Sequence, residues 1–402
     1  MERISSEDDD MNAELLRKIP TVQDFFKVSA DGEIPESTRI LLEAMEEVHF
    51  ADGEDIVVYG AEPEDGMYII LEGKTDVLND KGERVNLLSK GDFIGELGLI
   101  NDDKRGATVR AVGDVVCANI SKALFFEIAE KNRKIYGMFM NMLYRKTEKL
   151  VTEQERIKSE LAIATKIQVG SLENDFSSFN SLKDVYVTAH MCPAQEVGGD
   201  FYDVFVIDDS HICFLIADVS GKGVPAALFM SMAKIHIKNY ASLGLPLAEV
   251  AFRVNNQLCY KNEEGMFVTA FICVLDLESD EVKFINAGHN PPFLMKDGGA
   301  FEMMKPKANL VFGMMEDIPY KEQSIKLEKG DVIYLYTDGM TEALNAQEEL
   351  YGEKRLEEAL NRYCSRIDRS DAFMKCLYDD VNAFAEGVSQ ADDITMLCLS
   401  RK

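Results

Sequence analysis

The sequence predicts an α+β protein: a β jelly roll with flanking helices, then a helical connector, then a layered domain of strands and helices. The length of 402 residues is the first observation, because one ordinary domain has roughly 100–200 residues. The second is a series of short strand-like runs, separated by glycines, over residues 55–111. The third is the alternation of strand runs with helical stretches over residues 183–402, which is typical of layered α+β domains.

The first domain is predicted to begin with short helices over residues 11–48, which are interrupted at Pro20 and Pro35. From Asp55 the apolar residues form short runs bounded by glycines. Strands are expected at residues 56–59, 67–71, 75–78, 85–88 and 107–111. Such closely spaced strands indicate a small antiparallel barrel or jelly roll.

The connector is predicted as a long helix over residues 122–168, where proline is absent and charged residues alternate with apolar ones. Apolar residues recur at intervals of seven, at Leu143, Leu150, Ile157 and Ala164. Gly137 interrupts this region, and Thr147 and Gln154 dilute a second stripe. Two alternatives stay open: a short coiled coil within a homodimer, or a helix packed on its own domains.

The last domain is predicted over residues 183–402. Strands are expected at residues 211–217, 268–275 and 332–336, and helices at residues 226–243 and 354–363. Gly221 and Gly223 lack the spacing of a nucleotide-binding Walker loop, and Pro225 indicates the first turn of a helix instead.

Composition disfavours several classes of function. The 43 basic and 71 acidic side chains leave a net charge of −28, which repels nucleic acid and an anionic membrane surface. The eight cysteines show no metal-ligand spacing and no disulfide framework, so reduced core thiols are expected. The N-terminal residues are acidic where a signal peptide would be basic and apolar, and no apolar run approaches the ~20 residues of a membrane span. We therefore expect a cytoplasmic protein.

Four aspartates stand at the edges of strand-like runs, beside glycines or small residues: Asp200, Asp218, Asp338 and Asp392. Any one of them could be a turn residue or a helix cap. A charge at the end of a buried strand is unfavourable unless it is paired or binds a metal. Carboxylate oxygens suit Mg²⁺ or Mn²⁺, and two such ions can activate a water molecule.

The segments around these aspartates form a specific series between residues 198 and 396: GGDFYDVF, IADVSGKGVPAALFM, INAGHNPPF, YTDGMTEA and DDITM. The series resembles the bacterial PPM-type serine/threonine protein phosphatases of the SpoIIE-like branch. This resemblance implies an αββα sandwich with two Mn²⁺ or Mg²⁺ ions between its sheets. It also implies hydrolysis of phosphoserine or phosphothreonine on a protein, without a phosphoenzyme, and suggests an anti-sigma-factor antagonist or a similar partner-switching protein as the substrate.

By motif position, the resemblance implies that Asp218 bridges both ions and that the carbonyl of Val219 contributes to one. Asp338 and Asp392 would hold one ion, and Asp200 would support the other directly or through water. The rival interpretation is a pseudophosphatase scaffold. Aspartate at all four positions favours the enzyme.

Three further residues carry alternatives. Asp393 is interpreted as a structural acid beside Asp392, with a ligand role as the alternative. Related phosphatases outside the branch have a histidine where this chain has Ser220, so that histidine is not available as an acid. His289 could act as an acid, but a structural role in its turn is the preferred interpretation.

In the first domain, the segment FIGELGL at residues 93–99 is followed by RGATV at residues 105–109. An arginine can neutralise a cyclic phosphate, backbone amides of small residues can approach its oxygens, and a glutamate can accept a ribose hydroxyl. The segment resembles the phosphate-binding cassette of cyclic-nucleotide-binding domains, over about residues 12–135. Regulation through the connector is therefore expected.

By position in that cassette, Glu96 would bind the ribose and Arg105 the phosphate. The residues that would line the cassette are Gly95, Leu97, Gly106 and Ala107. Gly106 stands where a threonine often marks the cyclic-GMP branch, so cyclic AMP is favoured. Lys104 replaces a common proline, which puts affinity in doubt. The alternative is a docking or dimerisation module in which Glu96 and Arg105 form an ion pair.

Overall fold

The structure is a computed structural model that describes residues 36–99, 103–173, 175–176, 179, 185–367 and 372–402. The chain divides into two compact units, Met1–Glu155 and Arg156–Lys402. The helices predicted before residue 36 lie outside the described residues. No described helix is both long and apolar enough to cross a membrane.

The N-terminal unit is built on one six-stranded antiparallel sheet, in which the order β1-β6-β3-β4 is extended by β2 on β6 and β5 on β3. Its strands are β1 Glu46–Phe50, β2 Asp55–Val57, β3 Met67–Leu78, β4 Arg84–Ser89, β5 Phe93–Ile94 and β6 Thr108–Ile120. Its helices are α1 Glu36–Glu43 and α2 Lys122–Lys131, and α3 Arg133–Ser171 begins in it. The predicted antiparallel β domain is confirmed.

Strand β3 is buried on both faces. Met67 and Ile69 pack with Phe125 of α2, whereas Tyr68 and Ile70 pack among the other strands. This division follows from the two-residue period of a strand, which sends successive side chains to opposite faces. The sheet therefore has one core beneath the helices and another between its strands.

The strands predicted at residues 67–71 and 75–78 are wrong as two elements, because β3 is continuous. Register shifts between Ile70 and Lys74 produce bulges, and Gly73 adopts a φ of +92° there. A Cβ on Gly73 would lie 2.6 Å from the carbonyl oxygen of Asp114. The glycine therefore marks a bulge with close backbone approach rather than a turn.

The connector consists of two helices rather than one. Asn132 interrupts it with φ −139° and ψ 90°, and α3 then continues for 39 residues. In its middle, Leu150 and Ile157 are 63% and 48% exposed, so the seven-residue stripe is largely solvent-facing in one chain. The boundary between the two units falls inside α3.

The C-terminal unit contains two five-stranded antiparallel sheets, ordered β14-β11-β10-β9-β8 and β13-β12-β15-β16-β7. The strands are β7 Val185–Cys192, β8 Phe201–Val206, β9 His211–Val219, β10 Val268–Asp276, β11 Glu281–Ala287, β12 Phe293–Met295, β13 Phe301–Met303, β14 Gln323–Lys326, β15 Val332–Tyr336 and β16 Ile394–Arg401. The helices are α4 Gly223–Ala241, α5 Leu247–Cys259, α6 Gly352–Tyr363 and α7 Ala372–Phe384.

The expected αββα sandwich is confirmed. In β9, Leu215 packs toward α4 and α5, whereas Phe214 packs against the second sheet. Helices α6 and α7 cover the outer face of that second sheet. Pro225 lies in the first turn of α4, as predicted. None of the eight cysteines forms a disulfide.

Candidate functional sites

The four predicted aspartates lie at neighbouring strand ends of the two sheets. Asp200 directly precedes β8 and Asp218 is near the end of β9, and the register of this antiparallel pair places them side by side. Asp338 follows β15 and Asp392 precedes β16, which are also paired. The charges of Asp338 and Asp392 both act on Asp218, so the two sheets contribute to one acidic centre.

The acidic centre disfavours ionisation of its own carboxyl groups. Burial, together with the charges of Asp338 and Asp392, raises the pKa of Asp218 to about 7. Burial and then the charge of Asp218 raise the pKa of Asp200 well above its ordinary value. Burial, Glu342 and Asp392 raise the pKa of Asp338 in the same way. Desolvation and like charges both oppose a further negative charge here.

This donor set fits divalent cations. Carboxylate oxygens are the ligands that Mg²⁺ and Mn²⁺ prefer, and such ions would neutralise the excess negative charge. In the described part of the chain, no three acidic, histidine or cysteine side chains converge as the ligands of one ion. The fit therefore rests on donor chemistry and charge rather than on coordination distances.

Two polar contacts orient members of the acidic centre. Thr337 Oγ1 donates to Asp200 Oδ2 at 2.7 Å and accepts from the backbone N–H of Thr395 at 3.0 Å. Lys222 Nζ lies 2.9 Å from Asp392 Oδ2 and brings a cation to the rim. Asp200 is thus held by a buried hydroxyl, whereas Asp392 has a partly exposed ionic partner.

Asp393 organises the loop that carries Asp200. Its carboxylate accepts the backbone N–H of Ala194 at 2.8 Å, of Gly199 at 2.7 Å and of Asp200 at 3.3 Å. A Cβ on Gly198 would lie 2.3 Å from this carboxylate, which explains the small residue. These contacts support the structural interpretation of Asp393. The paired glycines are the sequence signal of this close packing.

Gln168 forms hydrogen bonds with the loop that carries Asp200, and the sequence did not predict this role. Its side-chain amide donates to the carbonyl of Gly198 at 2.6 Å and accepts the N–H of Gly198 at 3.1 Å. Gln168 lies in the part of α3 that belongs to the C-terminal unit and is 7% exposed. Nothing in its local sequence distinguishes it from a solvent-facing helical glutamine.

His289 and Ser220 both have structural partners. The ring of His289 lies 2.8 Å from Thr269 Oγ1 and 3.1 Å from the carbonyl oxygen of Tyr336. Burial lowers the pKa of His289 to about 4, which keeps the ring neutral near pH 7. Ser220 Oγ accepts the backbone N–H of Phe267 at 2.9 Å. Both ring nitrogens of His289 are engaged, which supports its structural role.

In the N-terminal unit, Arg105 is buried at 7% exposure. Its guanidinium donates to Asp65 at 2.6 Å and to the carbonyls of Gly66 and Gly95 at 2.5 and 2.8 Å. Among the described residues, Arg105 Nε has no hydrogen-bond partner. A Cβ on Gly95 would lie 2.2 Å from the guanidinium, so glycine permits this approach. A buried arginine with an unsatisfied donor fits an anion such as a cyclic phosphate.

Glu96 does not pair with Arg105, so that part of the alternative interpretation is wrong. Glu96 Oε1 lies 2.5 Å from Lys146 Nζ of α3, and the glutamate side chain is 9% exposed. Gly106 is exposed and Ala107 half-buried, whereas Leu97 is 61% exposed. The structure therefore brings Gly95 and Arg105 together and leaves Leu97 facing solvent.

In the C-terminal unit, an acidic centre lies at the ends of paired strands from two sheets, and two helices cover the outer face of each sheet. These features define the unit as a PP2C-type phosphatase domain. Residues 208–402 match the family described as stage II sporulation protein E, and residues 47–132 match the cyclic nucleotide-binding domain. The chain belongs to the SpoIIE family of PP2C-type phosphatases and carries an N-terminal cyclic-nucleotide-binding domain.

Curated relatives agree with this assignment, and a solved structure agrees with the fold. The chain is 32% identical over 266 residues to the phosphoserine phosphatase RsbU of Bacillus subtilis, covering 65% of this chain and 76% of RsbU. It spans only 39% and 45% of two other curated relatives. Over 111 residues it is 35% identical to a cAMP-dependent protein kinase regulatory subunit of Mucor circinelloides, covering 27% of this chain and 24% of that protein. The SiaA-PP2C domain of Pseudomonas aeruginosa shares the fold, with a TM-score of 0.55, 20% identity and coverage of 62% of this chain and 99% of that domain.

Proposed function

We propose that this chain hydrolyses phosphoserine or phosphothreonine on a protein, using two Mn²⁺ or Mg²⁺ ions. Asp200, Asp218, Asp338 and Asp392 would hold the ions, with the carbonyl of Val219. The observation that carries this proposal is the acidic centre, in which neighbouring carboxylates and burial raise the pKa of Asp218 to about 7. Bound cations would offset the repulsion among these carboxylates and favour their ionised form. The proposed substrate is a partner-switching protein such as an anti-sigma-factor antagonist, which the resemblance of the sequence motifs suggests. The similarity to RsbU, a phosphoserine phosphatase, supports the reaction.

When bound, the two ions would lower the pKa of a water molecule and neutralise charge on the phosphoryl group. The residues of the chain prepare this site. Thr337 orients Asp200, and the amide contacts of Asp393 hold the loop before β8. Lys222, whose ammonium group is 2.9 Å from Asp392, offers a cation at the rim for phosphate oxygens.

The proposal is tested with p-nitrophenyl phosphate and added Mn²⁺. Asp218→Asn should abolish turnover and keep the fold, because the proposed bridging ligand loses its charge. Asp209→Asn, at an exposed aspartate in the turn between β8 and β9, is the matched control and should behave as wild type. Retained Mn²⁺-dependent turnover in Asp218→Asn contradicts the ligand assignment. A wild-type protein without turnover supports the pseudophosphatase scaffold.

The second proposed function is binding of cyclic AMP by the N-terminal unit, through Arg105 and Glu96. The buried Arg105, with its unsatisfied Nε, supports an anionic ligand, and Gly106 favours cyclic AMP over cyclic GMP. The similarity to a cAMP-dependent kinase regulatory subunit supports the same ligand.

Calorimetry on the full chain with cyclic AMP and cyclic GMP tests this binding. Arg105→Gln should lower the affinity for cyclic AMP by on the order of 30-fold or more, because the substitution removes the cationic partner of a desolvated phosphate. Arg110→Gln is the control, since Arg110 is 46% exposed and pairs with Asp55 on the same sheet. If a folded sample gives no heat of binding with either nucleotide, the result contradicts nucleotide binding and supports the interpretation of this unit as a docking module.

We propose that α3 couples the nucleotide to phosphatase activity. In the N-terminal unit, Lys146 of this helix forms an ion pair with Glu96, so a ribose hydroxyl would have to compete with Lys146 for the Glu96 carboxylate. In the C-terminal unit, Gln168 of the same helix holds Gly198 beside Asp200. A ligand shifts an equilibrium only through differential affinity, and displacement of Lys146 would supply that difference.

Phosphatase rate measured against cyclic AMP tests this coupling. Lys146→Gln should strongly reduce the change in rate while nucleotide still binds. Lys149→Gln, an exposed lysine of the same helix, should keep the response. A full response in Lys146→Gln would show that this ion pair does not transmit the signal.

A further inference from the structure

A cavity of about 390 Å³ adjoins the acidic centre of the C-terminal unit. Asp392 of the acidic centre and its ionic partner Lys222 line the cavity, together with Gly339, which follows Asp338 in the chain. Its two walls are the segment after the 3₁₀ turn that begins at Asp338 and the loop between α7 and β16. The volume lies within the range of about 300–1,000 Å³ that is typical of ligand clefts.

The walls of this cavity, hereafter the side groove, carry apolar side chains in contact with water. Leu350 is 52% exposed and Val388 is 36% exposed, and Leu344 and Ala385 also line the groove. Covering such side chains is favourable in proportion to the apolar area removed from water. A partner that reaches the acidic centre can gain this energy only if it extends beyond the phosphate.

The side groove is held in shape by its own hydrogen bonds. Asn345 Oδ1 accepts the backbone N–H of Gln347 and of Glu349, which closes the turn between Leu344 and Leu350. On the other wall, the Gln390 side chain donates to the carbonyl of Asp392 at 2.8 Å. A preformed groove binds without the cost of ordering its loops.

The charges around the groove restrict its partner. Glu342 and Glu386 line it together with Asp392, and Lys222 lies at the end shared with the acidic centre. The phosphate end therefore has a cation, whereas the rest of the groove favours an apolar residue and disfavours acidic ones.

We propose that the side groove binds an apolar residue of the polypeptide substrate, within three residues of the phosphorylated serine or threonine. This inference deepens the proposed phosphatase function and rests on it. Extended polypeptide advances about 3.3 Å per residue, so neighbours of the phosphorylated residue necessarily lie beside the acidic centre. A small phosphomonoester lacks this contact. Leu350 and Val388 are therefore specificity residues that act on substrate selection.

The test uses the full chain with Mn²⁺ and two phosphoserine peptides that differ only in carrying leucine or asparagine two residues from the phosphoserine. The wild type should show a KM about tenfold lower for the leucine peptide, the effect of partly burying one apolar side chain. Val388→Asn and Leu350→Asn should remove this preference by raising the KM for the leucine peptide. The control Leu243→Asn, at a 63% exposed leucine outside the groove, should keep it.

Binding measured by fluorescence anisotropy with the same labelled peptides separates this proposal from the proposed catalysis. A wild type that does not hydrolyse p-nitrophenyl phosphate but still prefers the leucine peptide would refute the catalysis and support the groove. Equal affinity and equal KM for the two peptides overturn the groove proposal. A preference that persists in both Val388→Asn and Leu350→Asn overturns it as well.

Discussion

The adjacent residues Asp392 and Asp393 should respond in opposite ways to the same change, aspartate to asparagine. Asp393 is 8% exposed and accepts N–H groups of Ala194 and Gly199 at 2.8 and 2.7 Å. In Asp393→Asn the amide oxygen can still accept one N–H, but the amide nitrogen faces another donor. Asp392→Asn removes an ion pair with Lys222, whose side chain is 47% exposed, and the asparagine oxygen can still accept the backbone N–H of Asp393.

The magnitude follows from these contacts. A hydrogen bond to a charged group contributes about 1.5–3 kcal/mol, and a buried N–H without a partner costs about 1–3 kcal/mol. Asp393→Asn loses the hydrogen bond from the N–H of Gly199 and weakens the hydrogen bond from the N–H of Ala194. We therefore expect the free energy of unfolding to fall by about 3 kcal/mol. For a unit of this size, that lowers Tm by about 6–12 °C. An exposed ion pair contributes about 0–1 kcal/mol, so Asp392→Asn should leave Tm nearly unchanged.

Scanning calorimetry of the full chain and Mn²⁺-dependent hydrolysis of p-nitrophenyl phosphate distinguish the two residues. Asp392→Asn should lose turnover at a nearly wild-type Tm, because a proposed metal ligand is neutralised. Asp393→Asn should show the lowered Tm. If Asp393→Asn instead unfolds at the wild-type temperature and lacks activity, Asp393 is a ligand and the structural reasoning fails.

Three further predictions concern other parts of the chain. Leu150→Asp should abolish both a homodimer through α3 and the rate response to cyclic AMP, as measured by light scattering and kinetics; a dimer that survives contradicts the coiled-coil interpretation. Lys234→Met should destabilise by about 3 kcal/mol in denaturant unfolding, because the buried Asp203 loses its nearer cation, at 2.5 Å, and keeps Lys238 as a more distant one at 3.7 Å; wild-type stability would show that this pair contributes little. The folded pKa of His289, about 4, lies below its ordinary 6.5, so the stability it contributes is present above pH 6.5 and falls toward pH 4 by about 3 kcal/mol. His289→Gln should remove that part of the pH dependence in unfolding experiments; an unchanged profile would refute it.

The α3 helix illustrates how far sequence reasoning reached for the regulatory part. The absence of proline and the alternation of charged with apolar residues predicted a long helix, and the structure has one of 39 residues. The break at Asn132 was not predicted, because asparagine is tolerated within helices and local packing decides whether the chain turns there. The contact of Lys146 with Glu96 joins residues 50 positions apart, and nothing local to either residue indicates the other.

The sequence by itself determined the order of domains, the strand-and-helix pattern of a layered α+β domain and the placement of four aspartates at strand ends. These features are local, because strand period, glycine positions and a proline in the first turn of a helix depend on neighbouring residues. Tertiary structure alone decided the partner of Asp393, which accepts the N–H of Gly199 from 194 residues away. The same holds for the contact of Gln168 with Gly198. Such buried hydrogen bonds arise when separate elements pack together, so their partners are chosen by the fold and not by the adjacent sequence.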